Sequence, residues 1–218
     1  MPIAAPWRNL SHSLIPQNNE IAYQDINHKE CDPMRVITGS ARGRKLLAPE
    51  GYDTRPTTDL VKEAIFSAVQ FDIPCAHVLD LFAGSGQIAI EALSRGAAGA
   101  TLIESNRKSF KVIEQNIAAC GFQAQTQRLC TDAASYLLRC RETFDIAFLD
   151  PPYHHGILPE ILPLLLPHMQ KNGVIVCEHE PELQLPEKIG EYLLKKRKKY
   201  GKITVSIYRG EEEADSAE

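Results

Sequence analysis

Five short apolar runs, alternating with helical patterns, constrain this chain more than anything else in it. They are HVLDLF (77–82), ATLIE (100–104), the more polar QTQRLC (125–130), FDIAFLD (144–150) and GVIVCEH (173–179). A helix is expected over 86–95, stopped by Gly96, and an amphipathic one over 106–119. The second places Phe110, Ile113 and Ile117 on one face and ends at Gly121. A short helix follows Asp132, and another spans 157–169, where Pro163 and Pro167 predict a kink or break. Strand–helix–strand repeats close as right-handed crossovers, so the pattern predicts an α/β fold on a mostly parallel, doubly wound sheet. FDIAFLD is apolar nearly throughout, as a strand covered on both faces should be. Residues 191–194 and 202–209 (KITVSIYR) predict a closing antiparallel pair.

The flanks read differently. Residues 34–48 (MRVITGSARGRKLLA) predict a β-hairpin, with Val36–Ile37 and Leu46–Leu47 around a turn containing Gly39, Ser40 and Gly43. Residues 58–70 predict a helix, with Leu60, Val61, Ala64, Ile65, Ala68 and Val69 at 3–4 spacing and Thr58 or Asp59 as its cap. Residues 1–33 are polar, carry Pro2, Pro6, Pro16 and Pro33, and lack sustained periodicity, which predicts a disordered extension. Residues 211–218 (EEEADSAE) form a solvated acidic tail. The 218 residues thus divide into an extension (1–33), a hairpin-and-helix appendage (34–75), an α/β domain (76–210) and the tail. The chain carries −4 overall, but the tail holds −5 and the extension −2, so residues 34–210 carry +3. No run approaches the roughly 18 apolar residues of a membrane span. The N-terminus lacks a signal layout, so a cytoplasmic protein is expected. Six cysteines, never spaced C-x-x-C, read as reduced thiols rather than zinc ligands or disulfides.

Two loops carry the chemistry. The first, Asp80-Leu-Phe82-Ala83-Gly84-Ser85-Gly86, joins a strand to a helix. Its glycines permit a tight turn whose backbone approaches a ligand at the carboxyl ends of the strands. It is neither G-x-G-x-x-G nor a P-loop, which disfavours a dinucleotide or ATP; alone, it could be an ordinary glycine turn. Glu104 ends the second strand 24 residues after Asp80, where a carboxylate can accept both hydroxyls of a ribose. Asp132, after the third strand, could accept from an adenine amino group or simply cap the next helix. The second loop, Asp150-Pro151-Pro152-Tyr153, ends the fourth strand. Prolines bring no N–H, so this loop offers acceptors with few competing donors. Each proline also biases the residue before it toward an extended conformation. The Asp150 side chain and Pro151 carbonyl together suit a planar –NH2 group, and Tyr153 can stack on the ring that bears it. The bland alternative is a diproline turn started by Asp.

The glycine loop followed by Asp-Pro-Pro-Tyr resembles class I amino-methyltransferases. The wider text MRVITGSARGRKLLAP, TRPTTDLVKEAIF and DLFAGSGQIAIEALSRGA resembles the RsmD-type 16S ribosomal RNA (guanine-N2)-methyltransferases over residues 34 to about 209. The resemblance implies a Rossmann-like, seven-stranded fold and S-adenosyl-L-methionine as cofactor. That cofactor would be held by Asp80, Phe82, Ala83, Gly84, Ser85, Gly86, Glu104 and Asp132. A guanine amine would be taken by Asp150, Pro151, Pro152 and Tyr153, with no metal. It also implies 16S rRNA as partner, within or outside the small ribosomal subunit, and Met34 as the usual family start. Gln87-Ile88-Ala89 departs from the small residues, Ala-Leu-Gly, common there. Arg35, Arg42, Arg44 and Lys45, with Arg55 in the Arg55-Pro-Thr-Thr-Asp59 segment, are candidate RNA contacts. Lys195-Lys-Arg-Lys-Lys199 forms a second basic cluster. The competing expectations are a DNA adenine-N6 or cytosine-N4 methyltransferase, a protein glutamine methyltransferase, and a non-catalytic RNA-binding assembly factor.

Overall fold

The computed structural model describes residues 34–49, 59–153 and 156–210. The extension, the acidic tail, Arg55 and the Thr58 cap lie outside the described residues. In chain order the elements are α1 (Asp59–Ala68), β1 (His77–Asp80), α2 (Gln87–Ser94), β2 (Gly99–Ile103), α3 (Arg107–Cys120), β3 (Thr126–Leu129), α4 (Ala133–Leu137), β4 (Phe144–Leu149), α5 (Ile157–Leu165), β5 (Met169–His179), β6 (Lys188–Ile189), β7 (Tyr192–Tyr200) and β8 (Ile203–Gly210). They build one sheet in the order β3-β2-β1-β4-β5-β8-β7-β6. Strands β1 to β5 run parallel to their neighbours, and β8 returns antiparallel against β5. The expected α/β sheet with its antiparallel closure is present. It has eight strands rather than seven, because the two residues of β6 pair with β7.

Alternation along the strands splits the core in two. Val78, Phe148 and Val176 join Phe66, Ile90 and Ile113 on one face of the sheet. Leu79, Ala147, Ile175 and Tyr208 join Leu137, Ile161 and Leu162 on the other. With both faces covered, the inner strands are apolar nearly throughout. The ends of α3 are set locally: the Asn106 side chain accepts from the N–H of Lys108 and Ser109, and Gly121 closes the helix at φ 80°.

Four local expectations are corrected. Residues 34–48 do fold back on themselves, with Leu46 N–H donating to the Met34 carbonyl (2.8 Å) and Val36 N–H to the Arg44 carbonyl (3.0 Å), but the pairing amounts to one antiparallel bridge, Arg35 to Lys45, rather than two strands. The N–H groups of Ile37 and Thr38 instead donate to the Glu91 carboxylate of α2, at 2.7 and 2.9 Å. The third strand is shorter than 125–130, since a 3-10 turn occupies Gln123–Gln125. The 157–169 helix breaks as its prolines predict, into a 3-10 turn that contains Pro167, but the α-helix itself is shorter than expected, ending at Leu165, and β5 begins at Met169. Pro163 is tolerated inside α5. Finally, the strand expected over 191–194 runs to Tyr200 and carries the basic run within it. Pairing with β8 decides this, because Ile203, Val205 and Ile207 need a neighbouring strand to complete their burial.

The described residues all fall within one compact unit. Within it, segment 34–49 is docked on the helices: Lys62 donates to the Arg35 carbonyl (2.7 Å), Ser94 accepts from Ala41 N–H (2.9 Å), and Asn116 brackets both backbone groups of Leu47. Among the described residues no helix is long and apolar enough to cross a membrane. No group of three or more His, Cys, Asp or Glu there could hold a metal ion.

Candidate active site

Because β1 to β5 are parallel, Asp80, Glu104, Asp150 and His179 all emerge at one end of the sheet. β1 lies between β2 and β4, so connections leave it in opposite directions at this end, and the crevice of an open α/β sheet forms there. The glycine loop leaves β1 and the proline loop leaves β4, and the two strands are paired, Asp80 with Phe148.

The glycine loop is pinned from three sides. Leu81 N–H donates to the Phe148 carbonyl (3.1 Å), Ala83 N–H to the Ile103 carbonyl (3.0 Å), and Gly86 N–H to the Ala83 carbonyl (2.6 Å). Gly84 and Gly86 sit at φ 54° and 79°, where side chains are strained. A Cβ on Gly86 would also come 3.3 Å from Leu102 Cδ2. Glu104 is buried, and its two oxygens accept from Gly84 N–H (2.8 Å) and Asn106 N–H (2.7 Å). Each carboxylate oxygen keeps capacity for a second donor, as a vicinal diol requires. Ser85 is buried too; its hydroxyl donates to Met34 Sδ (3.2 Å), and its carbonyl accepts from Asn116 (2.9 Å). Phe82 is half-buried against the α4–α5 side of the core.

Asp80 is only 3% exposed, and its Oδ2 has no hydrogen-bond partner among the described residues. Burial, and then the charge of Glu104, push its pKa up to about 7, against the pull of the Ala89 and Phe82 N–H groups. An orphaned buried acceptor is costly unless a donor arrives. A ligand carrying an ammonium group supplies the donor that this carboxylate lacks, and a sulfonium adds a compensating positive charge.

The structure brings Asp80, Ala83, Gly84, Ser85, Gly86 and Glu104 together. Asp132 does cap α4, with Oδ1 accepting from Ser135 N–H at 2.8 Å; this bond holds its carboxyl below the usual range. On the proline loop Asp150 is exposed, Pro151 buried, Pro152 exposed and Tyr153 half-buried. The Tyr153 hydroxyl donates to Glu178 Oε1 (3.2 Å) on β5. Burial, then the charges of Glu178 and Asp150, push the Tyr153 phenol well above its ordinary pKa, so it stays a neutral donor. Sequence reasoning misses Glu178 and Asn116, and it misses the contact that Met34 makes with the loop. Glu178 does carry a signal, since it is an acid at the carboxyl end of an apolar strand, as Glu104 is. Asn116 carries none.

The sheet order, the glycine loop with its orphaned acid, and the acid at the end of β2 define a class I S-adenosylmethionine-dependent methyltransferase. Residues 34–209 match the family described as Conserved hypothetical protein 95, and the chain belongs to that family. It is 37% identical over 193 residues to ribosomal RNA small subunit methyltransferase D of Escherichia coli (strain K12), covering 87% of this chain and 96% of that protein. The solved structure of yhhF from Escherichia coli superposes with a TM-score of 0.73 at 36% identity, over 82% of this chain and 98% of its own. SMU.776, solved with SAH, is 15% identical at a TM-score of 0.57 over 66% of this chain and 48% of its own, and speaks for the fold alone.

An Asp80 carboxyl that faces the cofactor would tie its affinity to pH. Only its ionised form attracts a cationic ligand, so S-adenosylmethionine should bind about tenfold tighter at pH 7.5 than at pH 6. In calorimetry Asp80→Asn should flatten that slope; an equal slope in the variant removes Asp80 from the site. Without ligand the same shift opposes folding. Folded Asp80 keeps its proton up to about 7, whereas an ordinary aspartate releases it near 3.8, so apo stability falls as pH rises between them.

Proposed function

We propose that this protein methylates the exocyclic N2 amino group of a guanine in 16S ribosomal RNA. The observation that carries the reading is the emergence of the glycine loop and the Asp150–Tyr153 loop from paired strands at the same end of the sheet. An amine acceptor site therefore adjoins the cofactor crevice. The name of the Escherichia coli relative supports ribosomal RNA as the substrate class.

In this reading S-adenosylmethionine supplies an electrophilic methyl group on a sulfonium. Glu104 would hold the ribose hydroxyls, Asp80 would face the positive charge, and the Phe82–Gly86 backbone would line the crevice. Asp132, beyond the end of β3, would serve the adenine. The substrate guanine is splayed from the RNA and stacked against Tyr153. Asp150 and the Pro151 carbonyl accept from the two amine hydrogens. Pro151 and Pro152 bring no N–H of their own to this loop. A guanine amine is a weak nucleophile because its lone pair is delocalised into the ring. Two acceptors that hold its hydrogens off the ring plane free that pair. As the nitrogen–methyl bond would form and the sulfur–methyl bond break, the Asp150 carboxylate would stabilise the positive charge arriving on nitrogen; the surplus amine proton would leave to water or through Asp150 and the neutral thioether would depart, and alignment of the two substrates supplies much of the rest. Arg35, Arg42, Arg44 and Lys45 contact phosphates, with Arg55 in the matching motif. Arg35 also reaches Asp59 at 3.2 Å, so it is held rather than swinging freely.

The test is direct. The full chain is given labelled cofactor with naked 16S RNA, assembled small subunits, duplex DNA or protein, and the product is digested to nucleosides or amino acids. N2-methylguanosine in ribosomal RNA is the expected product. Label in adenine, in cytosine or in protein, with none in guanine, overturns the assignment.

A further inference from the structure

We infer that the outer edge of β7, from Lys195 to Lys199 with Tyr200 beside it, carries the RNA strand that flanks the nucleotide entering the site. The inference rests on the RNA substrate proposed above and adds the path that substrate takes.

Register places this edge beside the reaction. Leu149 pairs with Cys177, Cys177 with Ser206, and Ser206 with Arg197, so one row crosses from β4 to β7. At a strand spacing of about 4.8 Å, three steps put Arg197 roughly 14 Å from Leu149. Lys198, one residue further along, is level with Asp150. The face agrees as well. Lys196 and Lys198 pair with Ile207 and Val205, which belong to the same core cluster against which Tyr153 packs. Lys198 Nζ lies 5.1 Å from the Tyr200 ring centroid, so this side chain leans toward the loop-bearing end.

Charge identifies the occupant. All five residues from Lys195 to Lys199 are exposed. Among the described residues only Arg197 of the five has a carboxylate partner, Glu187 at 3.4 Å. On the outer side β6 pairs only with Tyr192 and Leu193, which leaves the basic stretch uncovered by any described strand. A lysine on an edge strand also guards against sheet-to-sheet pairing. One or two suffice for that, and five consecutive cations on both faces exceed it. A row of cations next to a half-buried tyrosine suits a single-stranded nucleic acid, with phosphates tracking the cations and a base on the ring. Arg42, by contrast, sits on a turn docked at Ser94, the far end of α2 from the glycine loop. An eight-residue helix separates the two by about 12 Å.

The test uses the full chain carrying Lys196→Glu and Lys198→Glu, with Arg141→Glu, at the opposite end of the sheet, as the control. Methyl transfer is followed over a salt series with the RNA form that the wild type modifies. The paired variant should raise the RNA KM about 10–100-fold and lower the log–log salt slope by about 1 to 2. Its kcat and its cofactor Kd should stay within about twofold of wild type, and the control should leave all four quantities unchanged. A wild type that methylates RNA, beside a paired variant of unchanged KM and salt slope, overturns this inference and leaves the function standing. A loss seen on assembled subunits but not on naked RNA gives the edge to a ribosomal protein and also overturns it. A wild type that methylates no form of RNA brings down both readings.

Discussion

Asp150→Ala is expected to lower kcat for methyl transfer by about 10³-fold, the scale seen when one group stabilising transition-state charge is removed. Cofactor affinity should be unchanged, because Asp150 leaves β4 while Glu104 and the glycine loop are held by bonds it does not share. Stability should hold as well, since the residue is exposed at a strand end. Asp150→Asn refines the argument. It keeps an acceptor oxygen for one amine hydrogen but removes the negative charge, so it should recover part of the rate and no more. Single-turnover transfer from labelled cofactor, alongside calorimetric Kd values, separates the outcomes. Wild-type turnover in Asp150→Ala would mean that the amine is activated elsewhere. An equal loss in cofactor binding would make the proline loop part of the cofactor site instead.

Much of this site is legible in the amino-acid sequence, because each part has a local cause. Strand alternation, Gly84, Gly86 and the two prolines act through backbone conformation, which neighbouring residues decide. Glu104 and Asp150 are legible because an acid that ends an apolar strand stands out. The features that stay hidden depend on contacts distant in sequence. In QIAIEALSR, Glu91 looks like the polar face of an amphipathic helix. Only the docking of residues 34–49, more than fifty positions earlier, buries it. Asn116 reads as an ordinary polar residue of α3 until Leu47 and Ser85 meet it. The basic run at 195–199 looks like a solvated cluster because its own composition opposes a strand, and β8 overrides that preference. The 34–48 hairpin stays short for a related reason. Its Val36 and Leu46 N–H groups pair across the turn, but those of Ile37 and Thr38 find their acceptor on α2, and local turn chemistry cannot reveal that.

Glu91 carries the second large effect. It is 0% exposed in the middle of α2 and accepts from Ile37 N–H, Thr38 N–H and Arg95 Nε at 2.7, 2.9 and 2.9 Å. Lys62, equally buried, lies 3.9 Å away, and burial holds its pKa below the ordinary lysine value despite the two nearby carboxylates, Glu91 and Asp59. Glu91→Ala would strand the Arg95 guanidinium and two backbone donors at once, and would leave the buried Lys62 with Asp59 as its one nearby carboxylate among the described residues. Breaking a buried pair from one side costs about 3–5 kcal/mol, so the urea midpoint should fall at nearly constant m. Lys62→Met combined with Glu91→Gln should cost less than the sum of the single changes, because it removes the charge on both sides. The damage should not stay local. Segment 34–49 reaches the glycine loop through Met34 on Ser85 and through Leu47 on Asn116, which also holds the Ser85 carbonyl. Undocking it should raise hydrogen exchange at Ile37 and Thr38 and weaken cofactor binding, although Glu91 contributes nothing to the crevice itself. If Glu91→Ala kept wild-type stability and exchange, the buried carboxylate would not be what fastens this segment to the domain.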